Sequence, residues 1–177
     1  MTRHFLLWLA TCLLAAALAF VAQVAVAAQP AMGLTELPGQ AGDGPVTVFY
    51  PTAAAAQTVQ RGAFTFALAW EAAPVRGNGR LIVISHGSGG APWVHVDLAR
   101  MLVGAGYVVA LPQHRADNHQ DMADAGPESW KRRPAEVSRA IDALAHSAQF
   151  GPLLALDRVG VFGGSAGGHT ALSLAGG

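Results

Sequence analysis

Cysteine is nearly missing from this sequence. Cys12 is the only one and lies inside an apolar N-terminal run. The rest of the chain therefore has no disulfide, no thiol nucleophile and no thiolate metal ligand. Lysine is as scarce. Lys131 stands alone and outside any glycine-rich stretch, which excludes the G-x-x-x-x-G-K-[ST] phosphate loop. No G-x-G-x-x-G with a suitable acidic partner is present either, so a nucleotide-binding reading has no motif to rest on. Charged residues make up only 12%, and eleven Lys and Arg balance eleven Asp and Glu. A net charge of zero gives no electrostatic footprint for nucleic acid or an anionic membrane. Internal repeats and long low-complexity tracts are also missing.

What is abundant is apolar surface, at 52% of residues, and glycine, with 21. That composition excludes disorder, and 177 residues suit one domain. The first segment reads as a targeting signal. Met1-Thr2-Arg3-His4 supplies a basic start, and Phe5 to Val26 is apolar except for Thr11 and Gln23. Ala25-Val26-Ala27 is a small-x-small cleavage site. Residues 1–27 are predicted to be a secretory signal peptide removed after Ala27, so that the mature protein is exported, periplasmic or secreted, with no stable membrane association. The competing reading is an uncleaved anchor, since about 20 apolar residues can span a bilayer. Pro30 ends any helix soon after the cleavage site. Cys12 falls in mid-run, too early for a lipoprotein site.

Residues 28–177 are predicted to be the N-terminal portion of a single α/β domain. Ala28 to Pro45 reads as a leading loop with room for one short strand. Val46–Tyr50 is β-prone and stopped by Pro51, and Phe64, Phe66, Leu68 and Trp70 alternate as in a half-buried strand. These two are expected to form an antiparallel edge. Leu81-Ile82-Val83-Ile84 is a continuous run of the kind buried on both faces of a parallel sheet. Val94, Leu98, Met101, Leu102 and Ala105 then fall at helical spacing, and Tyr107–Leu111 is the next strand. Residues 113–133 read as a long polar loop, and Pro134 as the first turn of a helix whose stripe is Val137, Ile141 and Leu144. Arg158–Phe162 is a strand, and Thr170–Leu174 belongs to a helix. The alternation from Leu81 onward predicts a mostly parallel sheet with helices on both faces.

Gly163-Gly164-Ser165-Ala166-Gly167 satisfies G-x-S-x-G between that last strand and helix. A nucleophilic serine on a sharp strand-to-helix turn needs small neighbours, and the glycines two before and two after supply them. Ser165 is thus the candidate catalytic residue. Ser85-His86-Gly87-Ser88-Gly89-Gly90 follows the Leu81–Ile84 strand directly. Acyl transfer needs backbone N–H groups aimed at the developing oxyanion. Ala166, just after the nucleophile, and Ser88, in the earlier loop, are the candidate donors, with Gly87 or Gly89 as near alternatives to Ser88. His86, Gly87, Gly163 and Gly167 are the candidate supporting residues.

The segments Ile84–Gly90, Gly106–Pro112 with His114-Arg115, and Gly164–His169 resemble predicted dienelactone hydrolases, and are similar to the related platelet-activating-factor acetylhydrolases. The resemblance runs from about Met32 to Gly177. It implies an α/β-hydrolase esterase with a Ser–Asp–His triad and two backbone oxyanion donors, which map onto Ser165, Ala166 and Ser88. Authentic dienelactone hydrolases carry cysteine where this chain has Ser165, so a carboxylic-ester hydrolase without cofactor or metal is the expectation, and its partner is a small-molecule ester.

The triad acid and histidine follow the nucleophile in chain order. Only twelve residues follow Ser165, so both are expected to be absent from this chain, and the sequence to be the front part of a longer domain whose C-terminal strands are missing. His169, at i+4 from Ser165, is expected to pack or cap rather than act as base. His114, His119, Asp121 and Asp124 read as a polar loop near the site, not as a metal cluster. His95 and His146 occupy unremarkable helix positions. The alternative function is an inactive hydrolase fragment or non-catalytic binding protein, since an unassisted serine is a poor nucleophile.

Overall fold

The computed structural model describes residues 30–40 and 42–176. The expected signal peptide, with Cys12, lies outside the described residues. Among the described residues no helix is long and apolar enough to cross a membrane.

Among the described residues seven strands form one sheet: β1 (Ala31–Leu37), β2 (Val46–Thr52), β3 (Gln57–Arg61), β4 (Phe64–Trp70), β5 (Leu81–Ser85), β6 (Val108–Pro112) and β7 (Val159–Gly163). Their order across the sheet is β3-β4-β1-β2-β6-β5-β7. The sheet is mixed, which corrects the expectation of a mostly parallel one. Pairs β5–β6, β5–β7 and β1–β4 run parallel, whereas β1–β2, β2–β6 and β3–β4 run antiparallel. The helix-connected half from Leu81 onward is parallel, because each crossover carries the chain back across a face. The segments before it are joined by short turns, and these return the chain antiparallel. Val46–Thr52 and Phe64–Trp70 are also not an edge pair: β2 lies between β1 and β6, and β4 between β3 and β1.

Pro51 does not stop β2, which runs on to Thr52. Its carbonyl accepts from Val75 N–H at 2.8 Å, on the side away from β1. The ladder with β6 on that side ends at Phe49, so the N–H that proline lacks is not missed.

Among the described residues three α-helices cover the sheet: α1 (Val96–Gly104), α2 (Pro127–His146) and α3 (Ala166–Leu174). Alternate side chains of β5 and β6 point into two separate cores. Ile84, Val109 and Leu111 pack with Val96, Ala99 and Val103 of α1 on one face. Leu81, Val83, Val108 and Ala110 pack with Val137, Ala140 and Leu144 of α2 and with Leu174 of α3 on the other. Two-sided burial is why β5 reads as an unbroken apolar run. In α1 the buried positions are Val96, Ala99 and Val103, and Val94 and Met101 face outward. Of the residues expected to face inward, Leu98 and Leu102 flank this stripe and pack against the core, whereas Val94, Met101 and Ala105 are exposed.

The larger correction concerns α2. It begins at Pro127, two turns before Pro134, which sits inside the helix. Gly126, at φ 123°, precedes it, and Pro127 takes the N-terminal position where a missing N–H costs nothing. The first two turns bury Ser129 and Arg133 and expose Glu128 and Lys131. A helix that turns polar residues inward has no apolar stripe to read.

Candidate active site

Ser85 of β5 is paired with Gly163 of β7, so the two parallel strands end level. The loops that leave them, residues 86–90 and 164–165, therefore start side by side. Ser165 has φ 54° and ψ −124°, and α3 starts at the next residue. A non-glycine residue at such angles costs of order 1–3 kcal/mol and is held only when its surroundings over-determine it. Here they do. A methyl group on Gly163 would overlap the carbonyl of Gly167, and one on Gly167 would overlap the carbonyl of Ser85. The turn is thus closed backbone against backbone, and Ser165 is left exposed at its tip. A Cβ on Gly87 would lie 3.4 Å from Ser165 Cβ and 4.0 Å from its Oγ, so the first loop faces the serine directly.

The loop's amides are divided between two uses. Gly89 N–H donates to Asp117 Oδ1 at 3.0 Å, and Gly90 N–H to the Gly87 carbonyl at 3.0 Å. In α3, Gly167 N–H returns to the Gly164 carbonyl and Gly168 N–H to that of Ser165, both at 2.9 Å. Among the described residues the N–H groups of Ser88 and Ala166 engage no protein acceptor. Gly89, one alternative to Ser88, has its amide committed to Asp117. The dipole of α3 adds positive potential beside Ala166.

Beneath the loop lies a buried polar network that the sequence did not announce. Asp117 and Arg133, both fully buried, form an ion pair at 2.8 Å. Arg133 also donates to the His86 carbonyl at 2.5 Å, to the Asp117 carbonyl at 3.3 Å and, through Nε, to Ser129 Oγ at 3.1 Å. The Ser88 hydroxyl donates to Asp117 Oδ2 at 3.2 Å. His86 Nδ1 lies 2.7 Å from the Gly87 carbonyl, and His114 N–H donates to His86 Nε2 at 3.2 Å. These partners fix the His86 proton on Nδ1, and thus a neutral ring.

His114 itself sits between Ser85 Oγ, 2.7 Å from Nε2, and Glu136 Oε2, 2.6 Å from Nδ1. The order serine–histidine–carboxylate copies a triad, but Ser85 and His114 are wholly buried and Glu136 is only 4% exposed. No ester reaches Ser85. The chain Ser85–His114–Glu136 is a strut between the end of β5 and α2.

The other sequence candidates are dispersed. His169 is exposed and lies against Trp130, ring centroids 5.7 Å apart. His95 stands edge-on to Phe162 at 6.0 Å. His146 contacts its own helix, and His119, Asp121 and Asp124 stay at the surface. His169 N–H donates to the Ser165 carbonyl at 3.2 Å within α3, but none of the six described histidine side chains is hydrogen-bonded to the Ser165 hydroxyl. A concavity of about 670 Å³ between β1, β4 and α1 shares no lining residue with the Ser165 turn.

Burial, then the neighbouring His114 and Arg133, pushes His86 down to about 4. Burial, then Arg133, pushes His114 down to about 3. Burial, then Asp43, pushes Glu136 up to about 6. A histidine with a depressed pKa takes up its proton first in the unfolded chain. Stability therefore falls as pH drops below about 6.5, until the folded values are reached. Glu136 acts oppositely between about 6 and 4.5, where the folded state binds the extra proton, and offsets one histidine. The net slope is about 1 kcal/mol per pH unit. The melting temperature is expected to fall by roughly 5–10 °C from pH 6.5 to pH 4.5. His114→Gln should flatten that dependence, and an unchanged slope in the variant would contradict the assignment.

No protein-family model matches this chain, and no curated protein does. Among solved structures it is similar to a ferulic acid esterase from Streptomyces cinnamoneus, determined at 2.4 Å resolution, with a TM-score of 0.67 and 19% identity. The match covers 86% of this chain and 57% of that one, so the chain spans little more than half of that esterase's length. The likeness is one of fold.

Proposed function

We propose that the protein is a serine hydrolase that cleaves carboxylic esters through an acyl-enzyme at Ser165. One observation carries the reading: a non-glycine residue held at φ 54° and ψ −124° between β7 and α3, its hydroxyl exposed, with unengaged amides at Ala166 and in the facing loop at Ser88. Strain of that kind is kept where it serves a function. In the proposed step Ser165 Oγ bonds to the ester carbonyl carbon. The carbonyl electron pair moves to oxygen, where the Ala166 and Ser88 N–H groups receive it. A histidine takes the serine proton and returns it to the departing alcohol, and water then resolves the acyl-enzyme. That histidine and its acid partner follow the nucleophile in chain order, and the proposal places them after α3.

The resemblance to dienelactone hydrolases and platelet-activating-factor acetylhydrolases supports an esterase, as does a fold shared with one. Serine at 165 favours a general carboxylic ester over dienelactone itself. Export, by a signal peptide at residues 1–27, is part of the same proposal. A non-catalytic binding protein is favoured by one observation, that no described histidine ring is hydrogen-bonded to the Ser165 hydroxyl.

A fluorophosphonate separates the two readings. Attack by Ser165 Oγ forms a P–O bond and expels fluoride, so the peptide containing Ser165 should carry a single adduct by mass spectrometry. Folded protein that stays unlabelled would favour the binding reading over the enzyme.

A further inference from the structure

We infer that Asp117 and Arg133 are positioning residues that aim the Ser88 amide, by gripping the peptide units around it from the buried side. The inference rests on the esterase reading for its catalytic consequence, and on geometry alone for the aiming.

A trans peptide unit is rigid and planar, with its N–H opposed to its C=O. Fixing the carbonyl of one unit therefore fixes the direction of its N–H. Three consecutive units of the loop are held in this way. The His86 carbonyl is bound by Arg133 Nη1, which directs the Gly87 N–H away from α2. The Gly87 carbonyl lies 2.7 Å from His86 Nδ1 and 3.0 Å from the Gly90 amide, which directs the Ser88 N–H away from those two groups. The third unit is held by its other end, since Gly89 N–H is bound to Asp117 Oδ1. Asp117 and Arg133 grip the first and third units and each other, at 2.8 Å. The unit between them, which carries the Ser88 donor, has no freedom left to turn.

Gly87 itself faces Ser165, so the gripped segment is the one opposite the serine. Burial of the pair is what makes the grip firm. Water cannot compete for Arg133 or Asp117, and the planar fork of arginine reaches a carbonyl and a carboxylate together, which a lysine cannot. An ion pair needed only for stability could be exchanged for apolar residues of like volume, because such exchanges are often neutral once no lone charge is left behind. An ion pair that aims a donor could not.

The test is the double variant Asp117→Leu/Arg133→Met in the full-length protein, beside Ser165→Ala and wild type. Folding is checked by a melt. Hydrolysis of p-nitrophenyl acetate is expected to show kcat lowered about 100-fold with KM nearly unchanged, the signature of a donor lost only in the transition state. Hydrogen exchange should show the Gly89 and Gly90 amides protected in wild type and unprotected in the variant. A folded double variant with kcat within threefold of wild type, or with the Gly90 amide still protected, overturns the inference. If the double variant does not fold, Arg133→Lys keeps the charge and loses the fork. The same two readouts then decide, with a loss of about 10-fold expected in kcat. Ser165→Ala as active as wild type would sink the esterase reading instead, and exchange at the Gly89 and Gly90 amides would still decide the aiming.

Discussion

Ser165→Ala is expected to lower ester hydrolysis by about 10⁴- to 10⁶-fold while the protein melts at an unchanged temperature or slightly higher. Two features separate activity from stability at this residue. Its hydroxyl is exposed and bonded to none of the described histidines, so removing it takes away little that holds the fold. Its backbone conformation is the costly part, and alanine inherits that cost. Ser165→Gly, by contrast, removes the hydroxyl and also the strain of a side chain at φ 54°. It should be equally inactive and melt higher, by the few degrees that about 1 kcal/mol provides in a domain of this size. Rates with p-nitrophenyl acetate and a thermal scan of the three proteins check both halves. Alanine at full activity would remove Ser165 from the reaction. Glycine melting below alanine would mean that the surroundings do not hold the turn under strain.

Gly167→Ala should be the most damaging single methyl in the molecule. The added Cβ would land on the carbonyl of Ser85 and within 3.0 Å of that of His86, and both are backbone atoms at the end of a central strand. No rotamer can move aside, so α3 must lift from β5, and the Ser165 turn opens with it. A loss of about 3–4 kcal/mol or more is expected, seen as a melting temperature lower by roughly 10 °C or as insoluble protein. Gly164 is the internal control. It lies in the same motif, yet a Cβ there meets nothing within 4 Å. Gly164→Ala should fold and melt like wild type. Equal behaviour of the two variants, measured side by side, would refute the backbone-contact explanation.

The contrast between these glycines shows what was legible in the sequence and what was not. Local patterns spoke clearly where one residue type has one physical use. The Leu81–Ile84 run is buried on both faces, and Gly163 and Gly167 do sit where backbone meets backbone. The direction of the early strands was hidden, because strand pairing is a long-range choice: β2 binds β1 along its whole length and β6 only from Val46 to Phe49. The start of α2 was hidden for a different reason. Ser129, Arg133 and Glu136 face inward, so polarity stood for exposure in the sequence and meant its opposite in the fold. Asp117 and Arg133 were missed with it. A usable signal did exist. Lys131 and Glu128 sit three apart and pair at 2.8 Å, and Arg132 and Glu136 sit four apart, spacings that belong to a helix and not to a loop.

The Ser88 donor has a further consequence for how this protein can be explored. The group proposed to stabilise charge belongs to the main chain, and the Ser88 side chain points elsewhere, to Asp117. An alanine scan of the loop would change the hydroxyl and keep the amide. Such a scan will read nearly flat across residue 88 and steep at residues 117 and 133, which lie 29 and 45 positions further along the chain. Sites built this way are invisible to their own side chains, and their sequence record is kept at a distance, on a buried loop residue and a helix residue behind the site.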